Sequence, residues 1–514
     1  MTVATQNGVE IVRKVSFQLR RGRIVGLVGE SGSGKTTLAG LTLGYTAPGL
    51  EAHGDWVHVA DHDMLTADAK LVRKLRGRTI AYVPQDPSTA LNPTRRLNAQ
   101  ISEMLALHRA DMSKAERESH IASLMREVDL PEDSDFRRRY PHQLSGGQLQ
   151  RFAIAMAYSC DPEVIVLDEP TTGLDVIVQQ GIIELIRRVC TERNTAALYI
   201  SHDLEVVAVL TDDIMVMVGG EIIEAGPTSQ VTTSPRDPIV RQLLDAVPSR
   251  LARTAPRARE NPSSSTSAQL ATDAVCALYG QRMVTEDVSL DLQGGRCLAL
   301  VGESGSGKTT TGRIIAGLHR DYRGEVLLGS DVMARDVRDR SRIQRQQVQY
   351  IFQNPYGSLN PRRRVLDIVR KPSESFHGRE KAAESAVGAL RAVRVGEELW
   401  QRYPHELSGG QRQRVAIARA LAVDPSFLVC DEITASLDVS VQASIVALLR
   451  SLMEERDLGV LFITHQLALA RFIAHDVAVL KDGRIVERQA ADDLFACPTS
   501  DYAKALIGAI PATL

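Results

Sequence analysis

Short runs of consecutive apolar residues recur along the chain, separated by helix-length segments. Ile24-Val25-Gly26-Leu27-Val28, Val164-Ile165-Val166-Leu167 and Ala197-Leu198-Tyr199-Ile200 read as strands in the first half. Leu298-Ala299-Leu300-Val301, Phe427-Leu428-Val429-Cys430 and Val460-Leu461-Phe462-Ile463 read the same way in the second. A strand that is apolar at every position is buried on both faces, as in a parallel sheet covered by helices. The predicted fold class is therefore α/β. Two polar, helix-favouring stretches, about 95–150 and about 363–413, predict a helical subdomain in each half.

The pattern repeats because the sequence does. Gly29-Glu30-Ser31-Gly32-Ser33-Gly34-Lys35-Thr36-Thr37 recurs residue for residue as Gly302-Glu303-Ser304-Gly305-Ser306-Gly307-Lys308-Thr309-Thr310. Gln85-Asp86-Pro87 matches Gln353-Asn354-Pro355, and Leu144-Ser145-Gly146-Gly147-Gln148 matches Leu407-Ser408-Gly409-Gly410-Gln411. Asp168-Glu169 and His202 match Asp431-Glu432 and His465. The interval from signature serine to acidic pair is 23 positions in both halves, and from acidic pair to histidine it is 34. Only the early part differs, with 50 positions from Lys35 to Gln85 against 45 from Lys308 to Gln353, a surface-loop difference. Two domains follow, 1–248 and 272–514, each long enough to bury its own core. Residues 249–271, rich in Ser, Ala, Arg and Pro without an apolar period, are predicted to be a flexible linker.

Each nine-residue repeat fits the phosphate-binding loop and follows a strand-like run. Its small residues let backbone N–H groups curl around phosphate oxygens, and the helix that follows adds the positive end of its dipole. Lys35 and Lys308 reach the β- and γ-phosphates, while the hydroxyls of Thr36 and Thr309 hold Mg²⁺. Asp168 and Asp431 end buried strands, where a carboxylate holds Mg²⁺ through water. Glu169 and Glu432 are placed to polarise the attacking water. His202 and His465 follow the next strand, within reach of the γ-phosphate. Gln85 and Gln353 also stand at strand ends, and their amides bridge metal and water. The Leu-Ser-Gly-Gly-Gln segments lack the lysine, yet their backbone and serine hydroxyl suit a phosphate held by the other half.

Composition narrows the classes. The chain has 514 residues and a formal net charge of −2, so no global positive field draws nucleic acid or an anionic bilayer. Aromatics are 4%, too few for base-stacking platforms. No run of 18 apolar residues occurs, and the N-terminus lacks the pattern of a secretory signal. The six cysteines show no metal-ligand spacing and are expected to be reduced thiols.

Phosphate loop, Gln loop, Leu-Ser-Gly-Gly-Gln, Asp-Glu pair, Asp175 or Asp438, and histidine, in this order and twice, resemble the nucleotide-binding domains of ABC transporters. The resemblance implies two tandem P-loop ATPase domains packed head to tail around two ATP molecules. One site would combine Gly29, Ser31, Gly32, Gly34, Lys35, Thr36, Thr37, Gln85, Asp168, Glu169 and His202 with Ser408, Gly409, Gly410 and Gln411. The other would combine Gly302, Ser304, Gly305, Gly307, Lys308, Thr309, Thr310, Gln353, Asp431, Glu432 and His465 with Ser145, Gly146, Gly147 and Gln148. Magnesium would be held by Thr36, Gln85 and Asp168, and by Thr309, Gln353 and Asp431. Catalysis would fall to Glu169, His202, Glu432 and His465.

The runs Gln85 to Pro93 and Gln353 to Pro361 resemble those of dipeptide, oligopeptide and nickel importer ATPases, as do the Pro235–Pro248 and Pro498–Pro511 segments. Tyr502 matches that subfamily's C-terminal tyrosine, and Ile239 replaces it in the first half. The resemblance implies two transmembrane permease subunits, an extracytoplasmic solute-binding protein and a peripheral place on the cytoplasmic face of the membrane. A soluble twin ATPase on ribosomes or nucleic acid, and an exporter ATPase, are the alternatives. The family stacks adenine on an upstream aromatic, which Tyr279 supplies. The first half offers only Ala4, Thr5 and Gln6, so that site is expected to hold adenine less well, or the true start lies upstream.

Overall fold

The computed structural model describes residues 1–247, 250, 269–435 and 437–510. Two compact units divide them: Met1–Leu174 with Val178–Asp245, and Asp175–Ile177 with Ala246–Ile510. Most of the predicted linker lies outside the described residues. Its last three positions, 269–271, already belong to the strand Gln269–Tyr279, so the linker ends earlier than its composition suggests.

Each unit is built on a six-stranded sheet. From edge to edge the first runs Glu221–Pro227, Asp213–Val218, Ile24–Val28, Ala196–Ser201, Val164–Asp168 and Ile80–Val83. The second runs Arg484–Ala490, Asp476–Lys481, Cys297–Val301, Gly459–Ile463, Phe427–Asp431 and Val348–Ile351. All pairings are parallel except those of the edge strands Glu221–Pro227 and Arg484–Ala490.

Alternation explains why these strands are apolar throughout. In the second unit Leu298, Leu300, Val429 and Leu461 pack into one core, beside the antiparallel sheet. Cys297, Ala299, Val301, Leu428, Cys430 and Phe462 face the other, beneath the helices. Successive side chains point to opposite faces of a strand, so a sheet covered on both sides accepts no polar position.

A smaller antiparallel sheet accompanies each parallel one. In the second unit it joins Arg282–Gln293, Gln269–Tyr279, Tyr322–Leu328 and Asp331–Val332. In the first it is reduced to Glu10–Val12, Thr2–Thr5 and Leu50–His53.

Helices at the predicted subdomains are Leu97–His108, Lys114–Glu127 and Gly146–Tyr158, and Val365–His377, Arg379–Ala392 and Gly409–Leu421. The third helix of each set runs beyond the predicted edge. Phe152 and Ile154, fully buried, show why it continues: its apolar face belongs to the core. Among the described residues no helix is long and apolar enough to cross a membrane.

Candidate functional site

In a parallel sheet every strand ends on the same edge, and ligands bind at that carboxyl edge. The phosphate loops follow Val28 and Val301, Gln85 follows the strand ending at Val83, and Gln353 the strand ending at Ile351. The acidic pairs close strands 164–168 and 427–431, and the histidines follow strands 196–201 and 459–463. Strand order makes neighbours of residues far apart in sequence.

Glycine is required where each loop turns under its neighbour. A Cβ on Gly29 would lie 2.1 Å from the Met217 carbonyl, and one on Gly302 would lie 2.1 Å from that of Leu480. Gly34 and Gly307 precede helices Lys35–Thr42 and Lys308–Ile315 at φ 101° and 106°, left-handed backbone that favours glycine. Neither helix start carries a side-chain cap, which leaves its N–H groups for an anion. The hydroxyls of Ser33 and Ser306 are buried without a hydrogen-bond partner at the same place in both loops. An orphaned polar group repeated in this way points to a polar ligand.

Lys35 Nζ donates to the carbonyls of Gly29 at 2.7 Å and Glu30 at 2.9 Å. Lys308 donates likewise to Gly302 at 2.8 Å and Glu303 at 2.7 Å. Burial pulls the Lys308 ammonium below its usual range, against the nearby Glu432 and Asp431 carboxylates.

Both acidic pairs are built alike. Thr309 Oγ1 donates to Asp431 Oδ1 at 2.9 Å, and Thr36 likewise hydrogen-bonds Asp168. Burial raises both aspartates above the usual carboxylate range. The glutamates move the other way. His465 beside Glu432 lowers it despite burial; at Glu169 burial is the largest single influence, and His202, Thr172 and Lys35 together overcome it. Gln85 Nε2 donates to Glu169 Oε2 at 3.0 Å, and Gln353 Nε2 to Glu432 Oε2 at 2.7 Å. The other oxygen of each glutamate faces a histidine, His202 Nδ1 at 3.1 Å and His465 Nδ1 at 3.4 Å. Glu169 and Glu432 themselves adopt φ 48° and 46°. Left-handed backbone at a glutamate is strained, and such strain persists where the surroundings over-determine it. Here each glutamate N–H is tied to the end of the adjacent strand, at Ile200 or Ile463, both 2.9 Å.

Tyr82 and Tyr350 are site residues that motif reading passed over. Their hydroxyls donate to Asp168 Oδ2 at 3.0 Å and Asp431 Oδ2 at 2.6 Å. The available signal was a tyrosine three positions before each glutamine.

The signature segments stand at the starts of helices Gly146–Tyr158 and Gly409–Leu421. Ser145 and Gln148 form a capping box, as do Ser408 and Gln411. A Cβ on Gly147 would meet Val178 at 2.5 Å, and one on Gly410 would meet Val441 at 2.5 Å. The second glycine is thus needed for packing.

The ABC transporter family description matches residues 12–172 and 285–435, one match for each unit. The chain belongs to this family. It is an ATP-binding protein and an ATPase. The peptidoglycan transport ATP-binding protein YejF of Agrobacterium fabrum is 37% identical, over 97% of this chain and 92% of that protein. The glutathione import ATP-binding protein GsiA of Escherichia coli K12 is also 37% identical, over 98% of this chain and 87% of its own length. An archaeal ribosome recycling factor, aABCE1, solved in complex with the stalk protein aP1, shares the fold at 21% identity and a TM-score of 0.60, over 91% of this chain and 85% of that one.

The two halves of this ABC ATPase differ at the position where an adenine-stacking ring is expected from the sequence. Tyr279 stacks on His319 with centroids 4.6 Å apart, and is 47% exposed. It shares the guanidinium of Arg313, on the phosphate-loop helix, with Tyr350. In the first unit Thr5 ends its strand half-buried and Gln6 is exposed, with no ring between them. Stacking on an aromatic ring contributes about 1–3 kcal/mol per base. Tyr279→Ala should therefore weaken ATP binding at the second phosphate loop about tenfold. Lys35→Ala and Lys308→Ala single variants, each titrated with fluorescent ATP, should show the first loop binding more weakly than the second. Equal affinities would count against the asymmetry.

The C-terminal segments also differ. Tyr502, buried at the start of helix Asp501–Gly508, accepts a hydrogen bond from the Glu303 N–H at 3.1 Å, within the second phosphate loop. Ile239, its counterpart, is 43% exposed on helix Pro238–Asp245. Losing one hydrogen bond costs about 1 kcal/mol. Tyr502→Phe should weaken ATP binding at the second loop a few-fold and leave the first unchanged in the same titration.

Proposed function

We propose that this chain is the energy-supplying subunit of an importer for peptide-like small solutes. The observation that carries this reading is near-full-length similarity to two transport ATP-binding proteins named for glutathione and for peptidoglycan, both peptide-containing solutes. The pairing of two complete sets of catalytic side chains on one chain agrees with it.

In this reading each phosphate loop holds one ATP, and the signature segment of the other half completes the site. Glu169 or Glu432 takes a proton from water while the water oxygen forms its bond to the γ-phosphorus. The bond from that phosphorus to the β–γ bridging oxygen breaks, giving ADP and phosphate. His202 and His465 orient the glutamate, and Gln85 and Gln353 hold its other oxygen. Thr36, Asp168 and Gln85, with Thr309, Asp431 and Gln353, offer the hard oxygen donors that Mg²⁺ prefers. When bound there, Mg²⁺ would neutralise charge on the β- and γ-phosphates. Two transmembrane permeases would carry the solute, an extracytoplasmic binding protein would choose it, and this subunit would sit peripherally on the cytoplasmic face.

Purification of the tagged chain from native membranes in mild detergent tests this. Two hydrophobic permeases and a solute-binding protein should accompany it. Ribosomal or nucleic-acid partners without any membrane protein would sink the transport reading and leave the ATPase chemistry standing.

A further inference from the structure

Each acidic pair has a tyrosine behind its aspartate, but the two tyrosines are not supported alike. Tyr350 donates its hydroxyl proton to Asp431 Oδ2 at 2.6 Å, while Thr309 fixes Oδ1 at 2.9 Å. Tyr82 makes the corresponding contact with Asp168 at 3.0 Å.

The difference begins on the phosphate-loop helices, where Arg313 corresponds to Gly40. The Arg313 guanidinium donates to the hydroxyl oxygens of both Tyr350 and Tyr279. It continues beside the glutamines, where Phe352 corresponds to Pro84. The Phe352 ring meets that of Tyr350 edge-on, with centroids 4.8 Å apart. Tyr82 has a glycine and a proline at these two places, and its ring is 38% exposed.

A hydroxyl that accepts from a cation donates a stronger bond onward, because the two bonds polarise each other. The shorter contact at Asp431 agrees with this. Burial and the Asp431 charge keep the Tyr350 proton in place, so the tyrosine remains a donor. Asp431 is thus gripped at both oxygens, and one of the two grips is anchored through a guanidinium to Tyr279.

We propose that Arg313 and Tyr350 are positioning residues of the second site, which set the Asp431 carboxylate for a divalent cation and tie it to Tyr279. The first site has Tyr82 alone, so its Asp168 is held less firmly and gains less from the cation. The proposal rests on the reading that Asp431 serves Mg²⁺ when ATP is bound.

The test is the factor by which Mg²⁺, compared with EDTA, tightens fluorescent ATP on the full chain. Lys35→Ala confines the measurement to the second loop, and Lys308→Ala to the first. Tyr350→Phe keeps the ring and should cut the factor at the second loop by about fivefold, the loss expected for one hydrogen bond. Affinity in EDTA should stay unchanged, a split that a merely structural role would not give. Arg313→Gly, which copies the first unit, should bring the factor toward that of the first loop, and Arg313→Lys should retain most of it. Tyr82→Phe should have the smaller effect on its own loop. Thermal melting checks folding. No Mg²⁺ effect in the Lys35→Ala chain would overturn the metal reading and the proposal together. A Mg²⁺ effect that survives Tyr350→Phe and Arg313→Gly in folded protein, or that falls equally with Tyr82→Phe, would overturn the proposal alone.

Discussion

Glu169→Gln and Glu432→Gln should each lower steady-state ATP turnover by about 10²–10⁴-fold, the usual cost of losing a positioned base. Each carboxylate is aimed by left-handed backbone, φ 48° at Glu169 and 46° at Glu432, and gripped on both oxygens by a glutamine and a histidine. An amide fits the same space and keeps part of the hydrogen bonding, so ATP binding should survive. It cannot take the water's proton. Both glutamates are held below the usual carboxylate range, so the base stays ionised at neutral pH and the loss is chemical rather than a titration effect. The measurement is phosphate release from the purified chain, reconstituted with its membrane partners once these are in hand. Near-normal turnover in either single variant would show that site to be dispensable, and would replace two hydrolytic sites by one.

Lys35→Ala and Lys308→Ala should each weaken ATP binding at the altered loop by about 10²–10⁴-fold. Hydrogen bonds to charged groups contribute about 1.5–3 kcal/mol each, and the lysine makes two. With no nucleotide present, each ammonium is satisfied by two carbonyls of its own loop. In the proposed ATP complex phosphate oxygens would replace these carbonyls, so the loop would be held ready at little reorganisation. Removing the lysine deletes the charge facing the phosphates and leaves those carbonyls without their donor. Thermal melting should show a small loss of stability and nucleotide titration a large loss of affinity. The opposite balance would make the lysine a structural strut.

The sequence alone carried the repeat, the strands and the order of every motif. These depend on short-range features: a glycine-rich run, an unbroken apolar segment, a fixed interval. The phosphate loops, acidic pairs, histidines and glutamines all stand at the strand edge where their spacing put them. Contacts between distant positions were different. Tyr82 lies 86 positions from Asp168, and their hydrogen bond follows from the adjacency of two parallel strands, which no local pattern encodes. Tyr502 reaches Glu303 across 199 positions for the same kind of reason, through a terminal helix folded back on the loop. The strain at Glu169 and Glu432 was equally invisible, because a glutamate gives no local sign of left-handed backbone.

The internal repeat marked the two units as alike; only packing revealed where they part. Gly40 against Arg313 is a single difference in otherwise parallel helices. Whether such a difference reaches the acidic pair depends on what the facing strands bring to the guanidinium, and tertiary structure alone decides that.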